Sequence, residues 1–592
     1  MRARTVPALL LAAAAVLVAG VIAPSPAAGA GVATARAECF GGGFDRGSGD
    51  AAAAKELMAG RLRLGAHPAT TLPRNLTWRE DPFGDPNWVF QLHTLRWADV
   101  LRREGVRTHN KAMLARHRAI LADWVRDNPR SRPPSPFSWS DMATGLRAIA
   151  YSCAIGSYGY QPDLVAALRS HGAVLANPRF GASRGNHALH VRLGLLVAGC
   201  VVPDPAWTRA ARARIDTLLA GSVDVQGVTD EGSTAYEASN YVWYQEAERR
   251  VRACALGPGA LFRRVDLMPA FLAQATAPDG TYEQIGDGDR NAAVPIAGSP
   301  AALYAATLGR RGVAPGAVYS TYRRGYVFGR SGWGRARKPS DELFYALRFG
   351  PPMAVQVHAH EDAGALTLYA YGRQLLFDAG RYKYDDSALS AYLRSRAAHD
   401  TVDVPGARYD HGAATALVTS RHTAAYDLTT VRVTALRGTT WTRTVLYSRT
   451  GQYLVVDDAL VNSGDATMVQ RWNLPEDGAR TLRGAGLSVT GPGADLSMTW
   501  LGAAPDLSLV TARRSYRYAT SFPAPVVEAR TTGRTGRFTT VIAPRPDASG
   551  LRLVPQVTSS SVSPGAVDLT VSVGARGERV RMTATGATVT RF

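Results

Sequence analysis

The stretch HAHEDAGALTLYAYGRQLLFDAG, residues 358–380, sets two histidines two positions apart, follows them with acids and ends near a further carboxylate, Asp378. A third histidine, His399, comes soon after in AAHDTVDVPG. On a strand, positions i and i+2 project from the same face, so His358 and His360 are expected side by side. Asp378 would lie across a hairpin from them, and the chain before His399 is long enough to fold back. Two histidines and a carboxylate can hold a zinc ion while leaving one position open. Asp362 competes with Asp378 for the carboxylate place, and spacing does not choose between them. The plainer reading is that these are polar residues at a sheet edge.

A second group lies far upstream. In SRGNHALH, Asn186 and His187 follow a glycine at an expected helix start. Their side chains can donate to a carboxylate, and a helix N-terminus adds positive potential. An asparagine beside glycine is also an ordinary helix cap. In DEGSTAYEASNYVWYQEA, residues 230–247, Tyr236, Tyr241 and Tyr244 could supply a general acid or base, or could simply pack. Asp230 and Glu237 in the same stretch could form the carboxylate pair of a glycoside hydrolase. EQIGDGDRN, residues 283–291, offers Asp287 and Asp289 to a cation, but the rest of a calcium loop is missing and an ordinary polar loop facing a cleft is the simpler expectation. No phosphate-binding loop, dinucleotide fingerprint or G-x-S-x-G elbow stands in a suitable setting.

Two kinds of element must position these residues. Between about 50 and 315 the apolar residues recur at helical spacing, as in WVFQLHTLRWADVLRREG, DMATGLRAIAYSCAI, HALHVRLGLLVAGC and YVWYQEAERRVRACAL. DNPRSRPPSPFSW reads as a loop. After about 320 the period becomes two: ELFYALRFG, ALTLYAYGRQLLFDAG, TVRVTALRG, TWTRTVLYS and QYLVVDDALVNS are short alternating runs, with Gly372-Arg373 at a tight turn. The expected fold is multidomain α+β. Residues 1–30 are a signal peptide, 38–318 a helical domain and 319–592 an antiparallel β-sandwich, with a further boundary near 480 left open.

The opening MRARTVPALLLAAAAVLVAGVIAPSPAAGA has the arginines, apolar run and small-residue end of a secretory leader cleaved near Ala30, and no comparable run recurs. The expectation is a secreted protein with no membrane span. Cys39, Cys153, Cys200 and Cys254 could form two disulfides in an oxidising compartment, with three connectivities open. They have no CxxC spacing, which argues against a thiolate metal site. The formal charge is +20, almost all of it arginine. Such a surface attracts polyanions, and no nucleic-acid module is present, so acidic polysaccharides are the expected partners outside a cell; compositional bias explains the charge equally well.

Together these strings resemble the heparinase II/III superfamily of polysaccharide lyases, most closely in HAHEDAGALTLYAYGRQLLFDAG and AAHDTVDVPG and less specifically in GNH, EASNYVWY and TRTVLYSRTGQYLVVDD. The resemblance implies an incomplete (α/α) toroid followed by antiparallel β-sheets, with a long cleft between them. It implies a structural zinc on His360, Asp378 and His399, a catalytic His358 facing substrate, Asn186 and His187 on the uronate carboxylate, and Tyr241 as catalytic tyrosine. A further family tyrosine corresponds to Tyr382, Tyr384 or Tyr392. Asp400 departs from the family's usual asparagine after the last zinc histidine.

The implied chemistry is β-elimination: loss of the C5 proton of a uronic acid, expulsion of the O4-linked sugar and a 4,5-unsaturated product. Negative charge building on the uronate carboxylate needs preorganised donors. Heparan sulfate, heparin or an alginate-like polymer is the expected substrate class. The alternatives are a glycoside hydrolase built on Asp230 and Glu237, and a non-catalytic protein that adsorbs to anionic glycans. Oligomeric state, and endo against exo action, are not legible.

Overall fold

The computed structural model describes residues 26–42, 49–350, 358–413, 415–546, 556–573 and 576–592. The leader expected over residues 1–30 therefore lies almost wholly outside the described residues. Its last five positions open a helix, Pro26–Gly42, in which Ala35 is fully buried and Cys39 is bonded to Cys153. The helical region thus starts before residue 38.

The long apolar runs form helices Asp141–Tyr158, Gly185–Val201 and Thr234–Ala253, as their spacing predicts. WVFQLHTLRWADVLRREG is broken instead: Pro86–His93 stops, Leu95 takes a left-handed φ of 57°, and the helix resumes at Asp99–Thr108. Asp141–Tyr158 and Gly185–Val201 are buried along most of their length and form the centre of the helical core, with Pro162–Ala176 and Pro205–Ser222 packed around them. They meet backbone to backbone, because a Cβ on Gly145 would come 2.2 Å from the His190 carbonyl and one on Gly194 would come 2.6 Å from Gly145 Cα. The second disulfide, Cys200–Cys254, ties Gly185–Val201 to the end of Thr234–Ala253. This one disulfide thus pins the helices that carry Asn186 and Tyr236, while Cys39–Cys153 ties Pro26–Gly42 to Asp141–Tyr158.

From Tyr319 the chain is antiparallel sheet. A five-stranded meander, Tyr319–Tyr322, Tyr326–Arg330, Phe344–Arg348, Leu366–Ala370 and Arg373–Leu376, packs on a ten-stranded sheet whose centre pairs Tyr453–Asn473 with Phe522–Pro546. A four-stranded sheet, starting at Gln556–Ser563, covers part of the other face of the large sheet. Among the described residues no helix is long and apolar enough to cross a membrane.

Two local expectations are corrected. The hairpin turn is Tyr371-Gly372, with φ of 51° and 85°, one residue earlier than Gly372-Arg373. Two successive left-handed residues match the twist of the flanking strands. Nor are His358 and His360 in a strand, because pairing begins only at Leu366. The residues before it turn at Gly364, where φ is +83° and a Cβ would lie 2.1 Å from the Trp441 ring. Their backbone is held elsewhere, by Asp287 N–H donating to the His358 carbonyl and Glu361 N–H to the Arg394 carbonyl.

Buried Arg443 fixes this turn against the His399 segment. Its guanidinium pairs with Asp458 and donates to the carbonyls of Gly364 (2.7 Å) and Asp400 (2.8 Å). A buried arginine is tolerable only when its donors are all engaged in this way.

Candidate active site and metal centre

The helical and β regions meet at His358. Its ring stacks on Tyr236 with centroids 3.4 Å apart. Its Nε2 lies 3.5 Å from Asn186 Nδ2 and 3.6 Å from Glu231 Oε2, and its Nδ1 lies 3.2 Å from Asp287 Oδ2 and 3.4 Å from the Tyr384 hydroxyl. The Tyr236 and Tyr384 hydroxyls are 2.7 Å apart. Each partner is brought by a different local device. Ser233 caps Thr234–Ala253 and so places Tyr236 in the first turn. Glu231 accepts from the Asn186 backbone N–H at 2.9 Å and thereby holds the start of Gly185–Val201. The Asn186 side chain does not cap its own helix, which leaves its amide free for His358.

The electrostatics separate these groups. Burial, reinforced for Tyr384 by its neighbours Tyr236 and Asp287, raises both phenols above the usual range against the opposing charge of Arg381, so both hydroxyls stay protonated near neutral pH. Burial also raises Glu231, with His358 opposing. Asp287 behaves oppositely: burial would raise it, but hydrogen bonds with His358 and His360 hold its carboxylate well below its ordinary value. Arg381 spans the outer rim, over the rings of Tyr384 (5.0 Å) and Tyr518 (4.9 Å) and paired with Asp289. The Tyr518 hydroxyl in turn donates to Asp85 of the helical region.

Behind His358, the side chains of His360, Asp378 and His399 offer one ligand atom each within 4.8 Å of one another, and all three are buried. His399 Nδ1 is 3.1 Å from Asp378 Oδ2, while His360 Nδ1 and His399 Nε2 are buried without a hydrogen-bond partner. Unpartnered imidazole nitrogens beside a buried carboxylate suit a divalent cation, so the donor set fits a metal ion. Asp378 wins the carboxylate place over Asp362, which faces Arg348 at 3.8 Å and whose carboxyl burial raises. Asp400 does not face the pocket either: its Oδ1 accepts from Asn473 N–H (2.6 Å) and Nδ2 (2.7 Å), and burial pushes it far above the ordinary range.

The structure brings Asn186 to His358, but ties His187 to Asp141 (Nδ1 to Oδ1, 2.9 Å), half exposed and parallel to the Phe90 ring. Tyr241 is not in the cluster. Five residues separate it from Tyr236, a rotation of roughly 140° around a helix, and its hydroxyl accepts from Gln245 Nε2 at 2.6 Å. Tyr236 stands on His358 in its place, and among Tyr382, Tyr384 and Tyr392 it is Tyr384 that reaches the site. Asp230 and Glu237 are enclosed, with Glu237 Oε2 accepting from the backbone and hydroxyl of Thr229, which leaves no open carboxylate pair for hydrolysis. Sequence reasoning missed Glu231 and misread Asp287. The usable signal for the latter was its flanking glycines: a Cβ on Gly286 would come 2.6 Å from the His358 carbonyl, and one on Gly288 2.8 Å from Ala235 Cβ.

A helical toroid joined to stacked antiparallel sheets, with histidine, tyrosine, asparagine and a buried His/Asp/His pocket at the junction, is an architecture that known proteins share. Residues 322–544 match the family described as Heparinase II/III-like, C-terminal. A heparin-sulfate lyase of Pedobacter heparinus is 24% identical over 349 residues, 54% of this chain and 52% of the relative, so the chain matches about half that protein's length. A crystal structure of heparinase III superposes with a TM-score of 0.78 at 16% identity, covering 91% of each chain. Heparan sulfate lyase from Pedobacter heparinus gives 0.66 at 19% identity, covering 91% of this chain and 89% of that one. Chondroitin AC lyase of Streptomyces coelicolor A3 gives 0.52 at 11%, with coverages of 95% and 92%. Residues 322–544 are thus similar to the heparinase II/III-like C-terminal domain, and the chain as a whole shares the fold of the heparinase structures.

Proposed function

We propose that this chain is a secreted polysaccharide lyase that cleaves a uronic-acid-containing acidic polysaccharide, heparan sulfate-, heparin- or alginate-like, by β-elimination. The observation that carries the proposal is the convergence on His358 of Asn186 from the helical region and of the Tyr236–Tyr384 hydroxyl pair. The names of the relatives, a heparin-sulfate lyase among them, favour a glycosaminoglycan. The leader-like N-terminus and the two disulfides support export to an oxidising compartment.

In this reading Asn186 and His187, the latter oriented by Asp141, donate to the uronate carboxylate as the C5 proton leaves. His358 Nε2 receives that proton. The C4–O4 bond breaks as the C4=C5 double bond forms, and the protonated Tyr236–Tyr384 pair returns a proton to the departing oxygen. Retained protons on both phenols favour the acid role over the base role for this pair. Of the expected residues Asn186, His187, His358 and Tyr241, only Tyr241 gives up its place, to Tyr236. His360, Asp378 and His399 would hold zinc, whose contribution when bound would be structural: it would join the hairpin to the His399 segment and steady the non-strand segment that carries His358.

The test is a substrate panel of heparan sulfate, heparin, hyaluronate, chondroitin and alginate, read by the ultraviolet absorbance of unsaturated uronate. At least one should yield absorbing product with wild-type protein and none with His358→Ala. Saturated reducing ends alone would return the assignment to hydrolysis. Salt-sensitive binding without product would leave a glycan-adsorbing protein.

A further inference from the structure

Asp287 touches both histidines of the His-x-His segment. Its Oδ2 lies 3.2 Å from His358 Nδ1 and its Oδ1 lies 3.0 Å from His360 Nε2. The aspartate is buried and its place is over-determined. Its backbone N–H donates to the His358 carbonyl (2.9 Å), its carbonyl accepts from the Ser233 hydroxyl, and its glycine neighbours leave no space for a side chain. It comes from the 283–291 loop, 71 and 73 positions away from the two histidines.

A carboxylate has acceptors and no donor, so each ring nitrogen facing it carries hydrogen. That fixes both rings at once. On His360, hydrogen at Nε2 leaves the lone pair on Nδ1, the buried atom with no partner beside Asp378 and His399. On His358, hydrogen at Nδ1 leaves the lone pair on Nε2, which meets the Asn186 amide donor at 3.5 Å, while Glu231 Oε2, at 3.6 Å, stands beyond hydrogen-bond distance.

Resting on the lyase reading above, we propose that Asp287 is a positioning residue that sets the tautomers of His358 and His360 together, so that one carboxylate prepares both the base and the metal ligand. An outer carboxylate that fixes a metal-bound histidine is worth roughly 10- to 100-fold in metal affinity or activity. Here the same side chain delivers both effects.

The experiment compares wild type, Asp287→Asn, Asp287→Glu and His358→Ala in two assays: zinc affinity by competition with a chromogenic chelator, and steady-state kinetics at saturating zinc. Asp287→Asn keeps the size but turns a donor toward one of the two rings. It should lose about 10- to 100-fold in zinc affinity. At saturating zinc its kcat should fall by at least about tenfold with KM within about threefold, because the base and not the substrate contacts is disturbed. His358→Ala should bind zinc as wild type does. Asp287→Glu, which restores a carboxylate one methylene too long, should fall between wild type and Asp287→Asn in both assays, and it carries the test if Asp287→Asn does not fold. Wild-type kcat in zinc-saturated Asp287→Asn, or unchanged zinc affinity, overturns the proposal. If wild type makes no unsaturated product from any uronan, the lyase reading is what fails, and the zinc titration still decides whether Asp287 sets His360.

Discussion

Removing the hydroxyl of Tyr236 and, separately, that of Tyr241 separates two faces of one helix. Tyr236→Phe keeps the ring that stacks on His358 at 3.4 Å and deletes the hydroxyl that meets Tyr384 at 2.7 Å. The structural cost is one hydrogen bond, about 1 kcal/mol, because Tyr384 keeps its contact with His358. The catalytic cost is larger. A positioned proton donor contributes roughly 10²- to 10⁴-fold, so kcat should fall by that factor, equivalent to about 3–5 kcal/mol of barrier. Tyr241→Phe deletes an exposed contact to Gln245, on the far side of the same helix. Its kcat should stay within about threefold of wild type, with a stability change below about 0.5 kcal/mol. Initial rates of ultraviolet-absorbing product, with thermal melts as a control for folding, read both variants. A collapse of kcat in Tyr241→Phe, with Tyr236→Phe nearly unaffected, would refute the face assignment and restore Tyr241, the tyrosine that the family resemblance implies.

Three further outcomes follow from the packing and the charges. Purified protein should contain zinc, and chelation should lower its melting temperature, since ligand at a thousand times its Kd adds about 4 kcal/mol to the folded state; an unchanged melt and no zinc by elemental analysis would remove the metal. Glu237 is buried, and desolvation raises its carboxyl to about 8. The unfolded chain ionises this group near its ordinary value while the folded chain resists, so its stabilising contribution is full below about pH 4.5 and is lost as pH rises toward 8, on the order of 5 kcal/mol in all. Glu237→Gln should flatten that slope in denaturant titrations across the window, and an identical slope would show that Glu237 ionises freely when folded. Breaking Cys200–Cys254, which closes a separation of 54 residues, should cost up to about 4 kcal/mol by chain entropy; a double serine variant with the wild-type unfolding midpoint would contradict this.

Much of this molecule could be read from its residues, and what could not has a common cause. His360, Asp378 and His399 fall within one short stretch, so type and spacing marked the region, but preferring Asp378 to Asp362 needed the family resemblance and then the fold. The helices around Asn186 and Tyr236 followed from apolar periodicity, since these elements bury most of their surface. Choosing Tyr236 over Tyr241 required the rotation of Thr234–Ala253 about its axis, which depends on packing rather than on any local signal. Asp287 and Glu231 reach His358 only through the meeting of the helical and β regions. Single acids in polar loops look alike until their neighbours are known. The strand expected through His358 failed because Gly364, pressed on Trp441, turns the chain before pairing can start.

The most direct test of lyase action is cleavage of a responsive uronan in water enriched in heavy oxygen, with the products weighed by mass spectrometry. Elimination adds no water across the broken bond, so the new ends should carry no heavy oxygen, and each cut should leave one unsaturated uronate. One heavy oxygen per cut, with saturated ends, would contradict β-elimination at His358 and the tyrosine pair.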